Sequence, residues 1–327
     1  MSGQGEAMDR LADQVREALN TADLDALAEL LDPAVRWGPP GHPVPPGRSR
    51  AEALARYRRG RDIGARARVT ETLVAGDKIL VGLKVTNPAR VAARAGAGEA
   101  SRWQVLTVGG DGRITAITAF PDREQAEIYA GLAPPRPAPP DAIQWAAPPY
   151  RLADNRIGLR LPGPDDAAVL HEYATRDGGL DGGWVPLPED ATLADCQAVV
   201  GDWLAGWRNE RSFHGPVLII AALGEQALAG VVGLTDRGGR AAELSYGVAP
   251  ERRGRGYAAR AARLAAQWLL DEHHADLVEL RIAPANIPSQ RTALAAGFTP
   301  TGAVLTAAKG ITCDDLRFVR QRPTRPG

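Results

Sequence analysis

Two cysteines in 327 residues are too few for a disulfide framework, and Cys196 and Cys313 lack the paired spacing of a zinc site. An excess of charge of either sign is missing too: 39 basic side chains balance 39 acidic ones, which argues against a dedicated nucleic-acid or membrane-surface module. No apolar run approaches the roughly 18 residues of a membrane helix. The opening MSGQGEAMDR is polar where a signal peptide needs an apolar core. The expectation is a reducing, cytoplasmic setting with neither nucleic acid nor membrane as partner. Lysine occurs only at positions 78, 84 and 309, a mark of a GC-rich genome with no bearing on chemistry. His171-Glu-Tyr lacks the second histidine of the zinc helix pattern, and His273-His274 falls at a helix end, so no metal site is expected.

What the chain does have is length for two cores and one clear seam. Residues 133–149, APPRPAPPDAIQWAAPP, hold seven prolines, which remove backbone donors, fix φ and favour extended chain. A linker there divides the protein into domains at 1–132 and 150–327. In the first, Met8, Leu11, Val15 and Leu19 recur at helical spacing and Leu24 to Leu31 continues it. A third helix is expected near 51–60. The period then changes to that of strands at 67–74, 78–85, 101–108 and 114–120, with glycine turns at Gly76 and Gly109. Helices followed by an antiparallel sheet make an α+β layer.

The segments TADLDALAELLDPAVRW, GDKILVGLKV and SRWQVLTVGGDGRITAITAFPD, in this order, resemble the SnoaL-like branch of the nuclear-transport-factor-2-like superfamily over residues 7–132. The resemblance implies a cone, helices closing on a curved sheet, with a pocket that Trp37, His42, Tyr57, Trp103 and Asp122 would line and where His42 or Asp122 would do acid–base work. Taken by themselves, Trp37 and Trp103 read as core aromatics, His42 as a solvated loop residue, and Asp122 as the cap of a helix starting at Arg123. The family includes cyclases, isomerases and pure binding or dimerisation modules, so its fold does not fix a function.

The second half alternates like a strand at 156–161, turns helical at 165–175 and 193–207, and then gives three short strands at 216–222, 227–234 and 241–248. The last feeds Val248-Ala-Pro-Glu-Arg-Arg-Gly-Arg-Gly-Tyr-Ala and a helix to about Asp271. A glycine-rich turn entering a helix exposes unpaired amides at the positive end of the helix dipole, which is where phosphate binds. Gly254 and Gly256 allow close approach of the backbone, and Arg253 and Arg255 add charge-assisted donors. The pattern is neither the dinucleotide Gly-x-Gly-x-x-Gly nor a P-loop.

Arg253-x-x-Gly256-x-Ala258, strand before and helix after, resembles the acyl-CoA pyrophosphate motif of the GNAT N-acetyltransferases. The likeness extends over about 155–321, through APANIPSQRTALAAGF and the closing CDDLRFVRQ. GLRLPGPDD and WVPLPEDATLAD most resemble the ribosomal-protein N-terminal acetyltransferase branch. The resemblance implies a mixed α/β acyl-CoA fold using acetyl-CoA without metal. It places Val248, Arg253, Gly254, Arg255, Gly256, Tyr257 and Ala258 at the pyrophosphate and Asn286 and Ser289 along the CoA arm. It also implies a splay after the strand Glu243-Leu-Ser-Tyr-Gly-Val, with a bulge whose amide holds the thioester carbonyl.

Glu243 is the base candidate, with a strand carboxylate paired to arginine as the alternative. The tyrosine many relatives use as acid is replaced by Ala293. Ser289 is therefore the acid candidate or simply a helix-start residue, and Tyr246 is the fallback. Cys196, inside an amphipathic helix, reads as packing. The expected acceptor is an amine, on a protein N-terminus or a small molecule, with 176–190 over the acceptor side. A homodimer stays open, since both families often dimerise. Two alternatives remain: an acyl-CoA-binding regulatory protein without turnover, and a bifunctional enzyme with a cyclase- or isomerase-like N-terminal pocket.

Overall fold

The computed structural model describes residues 2–86, 99–120, 122–135, 142–148, 152–176, 185, 187–188, 190–225, 227–308 and 311–322. The segment 177–184, expected over the acceptor side, and the last five residues lie outside this description, as does the side chain of Cys313. The chain forms two compact units, Met1–Pro137 and Ala138–Gly327.

The first unit runs α1 (Ser2–Thr21), α2 (Leu24–Leu30), β1 (Leu31–Gly38), α3 (Arg50–Asp62), β2 (Arg66–Ala75), β3 (Lys78–Thr86), β4 (Glu99–Val108), β5 (Ile114–Phe120) and α4 (Arg123–Ala130). Local chemistry sets the helix starts. Asp23 accepts from the amides of Asp25 and Ala26, Ser49 from that of Glu52, and Asp122 from that of Gln125, each satisfying orphan donors of a first turn. The sheet order is β1-β5-β4-β3-β2. It is mixed, which corrects the antiparallel expectation: the apolar stretch that continues the second helix leaves it at Leu31 and pairs parallel with β5. Alternation along the strands splits the core between two faces. Ile79, Val81, Leu106 and Ile117 pack under α1 to α3, while Leu80, Val105 and Phe120 pack under α4.

The second unit contains β6 (Leu152–Ala153), β7 (Ile157–Arg160), α5 (Asp166–Thr175), α6 (Leu193–Trp207), β8 (Val217–Ala222), β9 (Leu228–Asp236), β10 (Ala241–Val248), a 3₁₀ turn at Pro250–Arg252, α7 (Tyr257–Asp271), β11 (Leu277–Ile282), α8 (Ile287–Ala295), β12 (Thr299–Ala308) and β13 (Ile311–Gln321). The eight-stranded sheet has the order β12-β13-β11-β10-β9-β8-β7-β6. Only β10 and β11 run parallel among its pairs. Helix α7 presents Ala261, Ala262, Ala265 and Ala266 with Trp268 and Leu269 to the core, and its short side chains bring the helix close to the sheet. β12 is an added finding, because its Thr-Pro-Thr-Gly start hides the strand pattern.

The stretch read as a linker is partly structured. Trp145 is only 9% exposed and belongs to the core of the second unit. Its amide donates to Asn209 Oδ1 at 2.8 Å, and its carbonyl accepts from Asn209 Nδ2 at 2.9 Å. The Ile143 amide binds Asp236 Oδ2 at 2.9 Å, and His273 Nε2 lies 2.9 Å from the Ala146 carbonyl. Residues 142–148 are therefore a strap fixed at three points by the second unit. Trp145→Ala is expected to destabilise that unit by about 3 kcal/mol through the cavity it leaves, read as a lower denaturation midpoint. An unchanged midpoint would show the strap to be incidental.

Candidate active site

The site originates where two strands part. β10 pairs with β11 only from Ala241 to Glu243, opposite Leu277 to Glu279. Beyond that, β11 stays with β13 as far as Ile282, opposite Leu316, while β10 stays with β9 as far as Val248, opposite Gly230. The expected splay is present. The expected bulge is not: the β10–β9 register is unbroken from Ala242 to Val248, and the gap opens because each strand follows its outer neighbour.

Hydrogen-bond alternation tells which backbone groups face the gap. The Ala241 carbonyl accepts from the Arg237 amide and the Ala249 amide donates to the Ala229 carbonyl, so odd-numbered residues of β10 turn toward β9. The last β10–β11 pair, Glu243 with Glu279, still engages the Leu244 amide, so the Leu244 carbonyl and the main-chain groups of Tyr246 and Val248 turn toward the missing partner. A cleft open to solvent occupies this gap and is lined by Glu243, Tyr246, Arg281, Asn286 and Ser289 among others.

The end of β10 leads directly into the glycine turn. Gly254 and Gly256 have φ of 74° and 75°, values that favour glycine strongly. A Cβ at either would meet open space, so backbone conformation, more than crowding, requires the glycines. Gly256 is the N-cap of α7 and provides no side-chain cap. The first intrahelical bond is donated by Arg260 to Gly256 O, which leaves the amides of Tyr257, Ala258 and Ala259 ahead of it. Arg253 Nε donates to Val248 O at 3.1 Å, bracing the turn against its strand. Arg255 is exposed and forms no ion pair among the described residues. The Tyr257 side chain is buried in the core, so only its backbone can serve a ligand.

On one face of the sheet an ionic ladder crosses the strands. Glu243 Oε2 accepts from Arg237 Nε at 2.7 Å and lies 3.2 Å from Arg281 Nε. Arg281 also binds Glu279 Oε1 at 2.8 Å, and Arg317 Nε binds Glu279 Oε2 at 2.6 Å. Both arginines of Glu243 use Oε2, so Oε1 is its open atom at the cleft. Glu279, 2% exposed, would be raised in pKa by burial. The hydrogen bonds and charges of Arg317 and Arg281 outweigh that and hold it below the usual carboxylate range.

Tyr246, an odd number of residues from Glu243, projects from the opposite face of β10. Its hydroxyl donates to the Ser289 carbonyl at 3.1 Å. Burial raises its pKa, and hydrogen bonds to Ser289 and Thr292 work against the rise without cancelling it. Asn286 caps α8 by accepting from the Ser289 amide at 3.2 Å, so the helix-start role expected of Ser289 belongs to Asn286. Cys196 is fully buried, and burial with the charge of Asp195 pushes its thiol up to about 11. It is a protonated packing group. Among the described residues no three His, Cys, Asp or Glu side chains gather to hold a metal ion.

The N-terminal candidates do not share one pocket. Trp37 packs in the core under α1 to α3, with the Arg56 guanidinium 3.7 Å from its ring centroid. Tyr57 reaches the same face and donates to Gln104 Oε1 at 3.1 Å; burial raises its pKa to about 12. Trp103 lies on the other face, under α4, whose N-terminus Asp122 caps. Alternation along β4 separates Trp103 from its neighbour Gln104, a correction to the five-residue pocket. His42 sits in the loop after β1, and its Nδ1 accepts from the Val44 amide at 3.2 Å.

Residues 156–299 match the family model of the acetyltransferase (GNAT) domain. The second unit carries a GNAT acetyltransferase domain. Residues 12–117 match the SnoaL-like domain model. No curated protein matches the chain. Among the many solved structures to which the chain is similar are the following three acetyltransferases. One is a ribosomal-protein-S5-alanine acetyltransferase from Vibrio fischeri (17% identity, covering 54% of this chain and 100% of that one, TM-score 0.44). Another is Mycobacterium smegmatis RimJ with CoA-disulfide (20%, 52% and 84%, 0.42). The third is the microcin C7 self-immunity acetyltransferase MccE with acetyl-CoA and AMP (19%, 52% and 94%, 0.44). In the GNAT domain, sequence reasoning named Glu243, Tyr246, Asn286 and Ser289 one by one as candidates, and all four line this cleft. It passed over Arg237, Glu279, Arg281 and Arg317. Their signal was available: Glu279 and Arg281 alternate with apolar residues in LVELRI, which marks one charged strand face.

The ladder makes stability depend on pH. A carboxylate held below its unfolded pKa stabilises the fold above about pH 4.3, and that contribution is lost as pH falls through the folded value. Urea midpoints of the C-terminal unit should therefore fall on acidification below that point, and less steeply in Glu279→Gln. That variant also leaves Arg317 without its carboxylate and Arg281 with Glu243 alone, and should cost roughly 3 kcal/mol at neutral pH. Parallel pH profiles for the two proteins would contradict the assignment.

Proposed function

We propose that the protein transfers the acetyl group of acetyl-CoA directly to an amine, with Glu243 as general base and Tyr246 as general acid. The observation that carries this reading is that β10 turns the amides of Tyr246 and Val248 to an unfilled gap and then leads into the uncapped N-terminus of α7. An extended chain ending in a pyrophosphate fits that path: its amide groups replace the missing strand, and its phosphates meet the glycine turn, the helix dipole and Arg255. Asn286 and Ser289 border the same arm from α8. Acetyl-CoA supplies an activated acyl group whose thioester carbon accepts the nucleophile.

The two faces of β10 divide the proton work. An ammonium has no lone pair to donate, so it must first lose a proton, directly or through one water, to Glu243 Oε1. The amine nitrogen then forms its bond to the acetyl carbon while the carbon–sulfur bond breaks, and the sulfur leaves with the bonding pair. Tyr246 protonates that sulfur from the opposite face, and the acetylated nitrogen, which still carries one proton in excess, passes it through solvent to the Tyr246 phenolate, so that a neutral amide and the CoA thiol result while Glu243 holds the first proton. The raised pKa of Tyr246 suits it to this role, because the hydroxyl keeps its proton until the thiolate forms. Arg237 and Arg281 hold Glu243 by one oxygen and leave the other for the acceptor. Buried Cys196 takes no part, and transfer is direct.

The acceptor class stays at amine, of a protein N-terminus or a small molecule. The N-terminal unit is read as an accessory module that binds a ligand or mediates self-association. Its Tyr57–Gln104 pair supports binding more than proton transfer, because a tyrosine pKa near 12 suits a hydrogen-bond donor that stays neutral.

Calorimetric titration of acetyl-CoA into the full chain should give micromolar binding, lost in Gly256→Glu, which sets a negative side chain at the phosphate turn. A thiol-release assay over a panel of amines should then find turnover that falls at least ~100-fold in Glu243→Gln and in Tyr246→Phe with little change in acetyl-CoA affinity. Folded wild type without acetyl-CoA binding would refute the donor site. Binding with no turnover on any amine would favour the regulatory alternative.

A further inference from the structure

The charged face of the eight-stranded sheet carries more guanidinium than proton transfer uses. Glu243 lies opposite Glu279 across β10 and β11, and Arg281, two residues beyond Glu279, lies opposite Arg317 across β11 and β13. All four side chains therefore leave the sheet on one face. Like charges directly opposite on neighbouring strands repel, and within the ladder three arginines, Arg237, Arg281 and Arg317, meet only two carboxylates. One positive charge is unmatched. Asp315, the next residue on this face of β13, is buried and forms no ion pair with Arg281 or Arg317.

The bonds of the arginine pair identify its spare nitrogens. Arg281 gives Nε to Glu279 Oε1 at 2.8 Å, and its Nη2 lies 2.8 Å from the same oxygen. Arg317 gives Nε to Glu279 Oε2 at 2.6 Å. Arg281 Nη1 and both terminal nitrogens of Arg317 form no hydrogen bond among the described residues. Buried Glu279 thus grips each guanidinium from beneath, while the side chains of Arg281 and Arg317 keep 23% and 33% of their surface in solvent. Arg281 lines the cleft together with Glu243 and Ser245. Ser245, on the same face of β10 two residues beyond Glu243, is exposed. Opposite it in β9 is Gly233, where a Cβ would come within 2.6 Å of Ser245 Oγ. No β9 side chain fills the floor at that point, and the space over Glu243 stays open.

We infer that the acceptor is an amine that also carries a carboxylate, and that Arg281 and Arg317 bind this carboxylate while Glu243 takes the proton of the amine. The inference rests on the transfer reading above and adds the acceptor's class to it. A carboxylate is planar with two acceptor oxygens, and two guanidiniums side by side offer matching donors. A neutral amine leaves the surplus charge uncompensated, and a polyamine is repelled by it. Spacing fixes a second property of the acceptor. Arg281 stands one strand spacing across and two residues along from Glu243, about 8 Å, so amine and carboxylate are separated by roughly six or seven bonds. An α-amino group and its own carboxylate are too close together for this. An ω-amino acid reaches, and so does a peptide whose second residue is glutamate.

The test measures thiol release from acetyl-CoA by the full chain on matched pairs of acceptors. One pair is 6-aminohexanoate and its methyl ester; the other is a tetrapeptide amide with glutamate second and the same peptide with glutamine there. In at least one pair kcat/KM should favour the carboxylate by about 20-fold, the size of a charge-assisted hydrogen-bonded contact, and the pair that shows it tells small molecule from peptide. The preference should fall to near one in Arg317→Gln. In Arg317→Lys, which keeps a charge for Glu279 but has no fork, it should be intermediate. Taking the ratio within each protein cancels any general loss of activity, and acetyl-CoA affinity reports that the chains are folded. Equal rates within both pairs, or a preference that survives both variants, would overturn the inference and leave the transfer reading intact. If no amine is acetylated, the transfer reading fails, and calorimetry of 6-aminohexanoate with the CoA-bound protein decides the subsite alone. Binding weakened about tenfold in Arg317→Gln supports it; binding that is absent, or equal in the two proteins, overturns it.

Discussion

A strand that loses its neighbour must find other partners for its amides and carbonyls, and the active region of this protein is organised around that requirement. β10 is held on both sides only as far as Glu243. Beyond the Leu244 amide, Tyr246 and Val248 turn their amides to an empty lane, and the strand leads on to the uncapped start of α7. Unpaired strand amides and unpaired helix amides thus lie at the two ends of one path. A ligand that is itself extended and amide-bearing, and ends in phosphate, satisfies both at once.

Holding the lane open needs a rigid floor. Parallel β10 and β11 meet for three residues, and the ladder of Arg237, Glu243, Arg281, Glu279 and Arg317 ties them together across that short contact. The ladder also orients the one carboxylate at the cleft: Glu279 is buried and committed to two arginines, while Glu243 shares its guanidiniums through a single oxygen. The same ion pairs that fasten the strands decide which oxygen can meet an incoming amine. On the other side, the alanine-rich face of α7 and the strap at 142–148 fix the helix whose N-terminus completes the path.

Much of this was legible in the residues. The glycine turn, the strands before it and the helix after it follow from periodicity and from Gly254 and Gly256, whose positive φ is as a turn of this kind requires. Glu243, Tyr246, Asn286 and Ser289 were separately readable as candidates and do line one cleft. What escaped was tertiary. A bulge was expected in β10 from the family resemblance; here the opening comes instead from each strand staying with its outer neighbour, which no local pattern records. Trp103 was placed with Trp37 in the pocket that the family resemblance implied, yet alternation along β4 sends it to the opposite face from Gln104. Trp145 sat among prolines and read as linker, although an indole with nearby apolar partners is rarely left in water.

The central claim is that the backbone lane of β10 and the first turn of α7 are one acetyl-CoA site. Amide hydrogen exchange measured with and without acetyl-CoA tests it most directly. Protection should rise at Tyr246 and Val248 and from Gly254 to Ala259, with the amide of Leu244, bonded to β11, and the odd-numbered amides of β10, bonded to β9, unchanged. Protection that appears in the N-terminal unit, or nowhere along this path, would contradict the account.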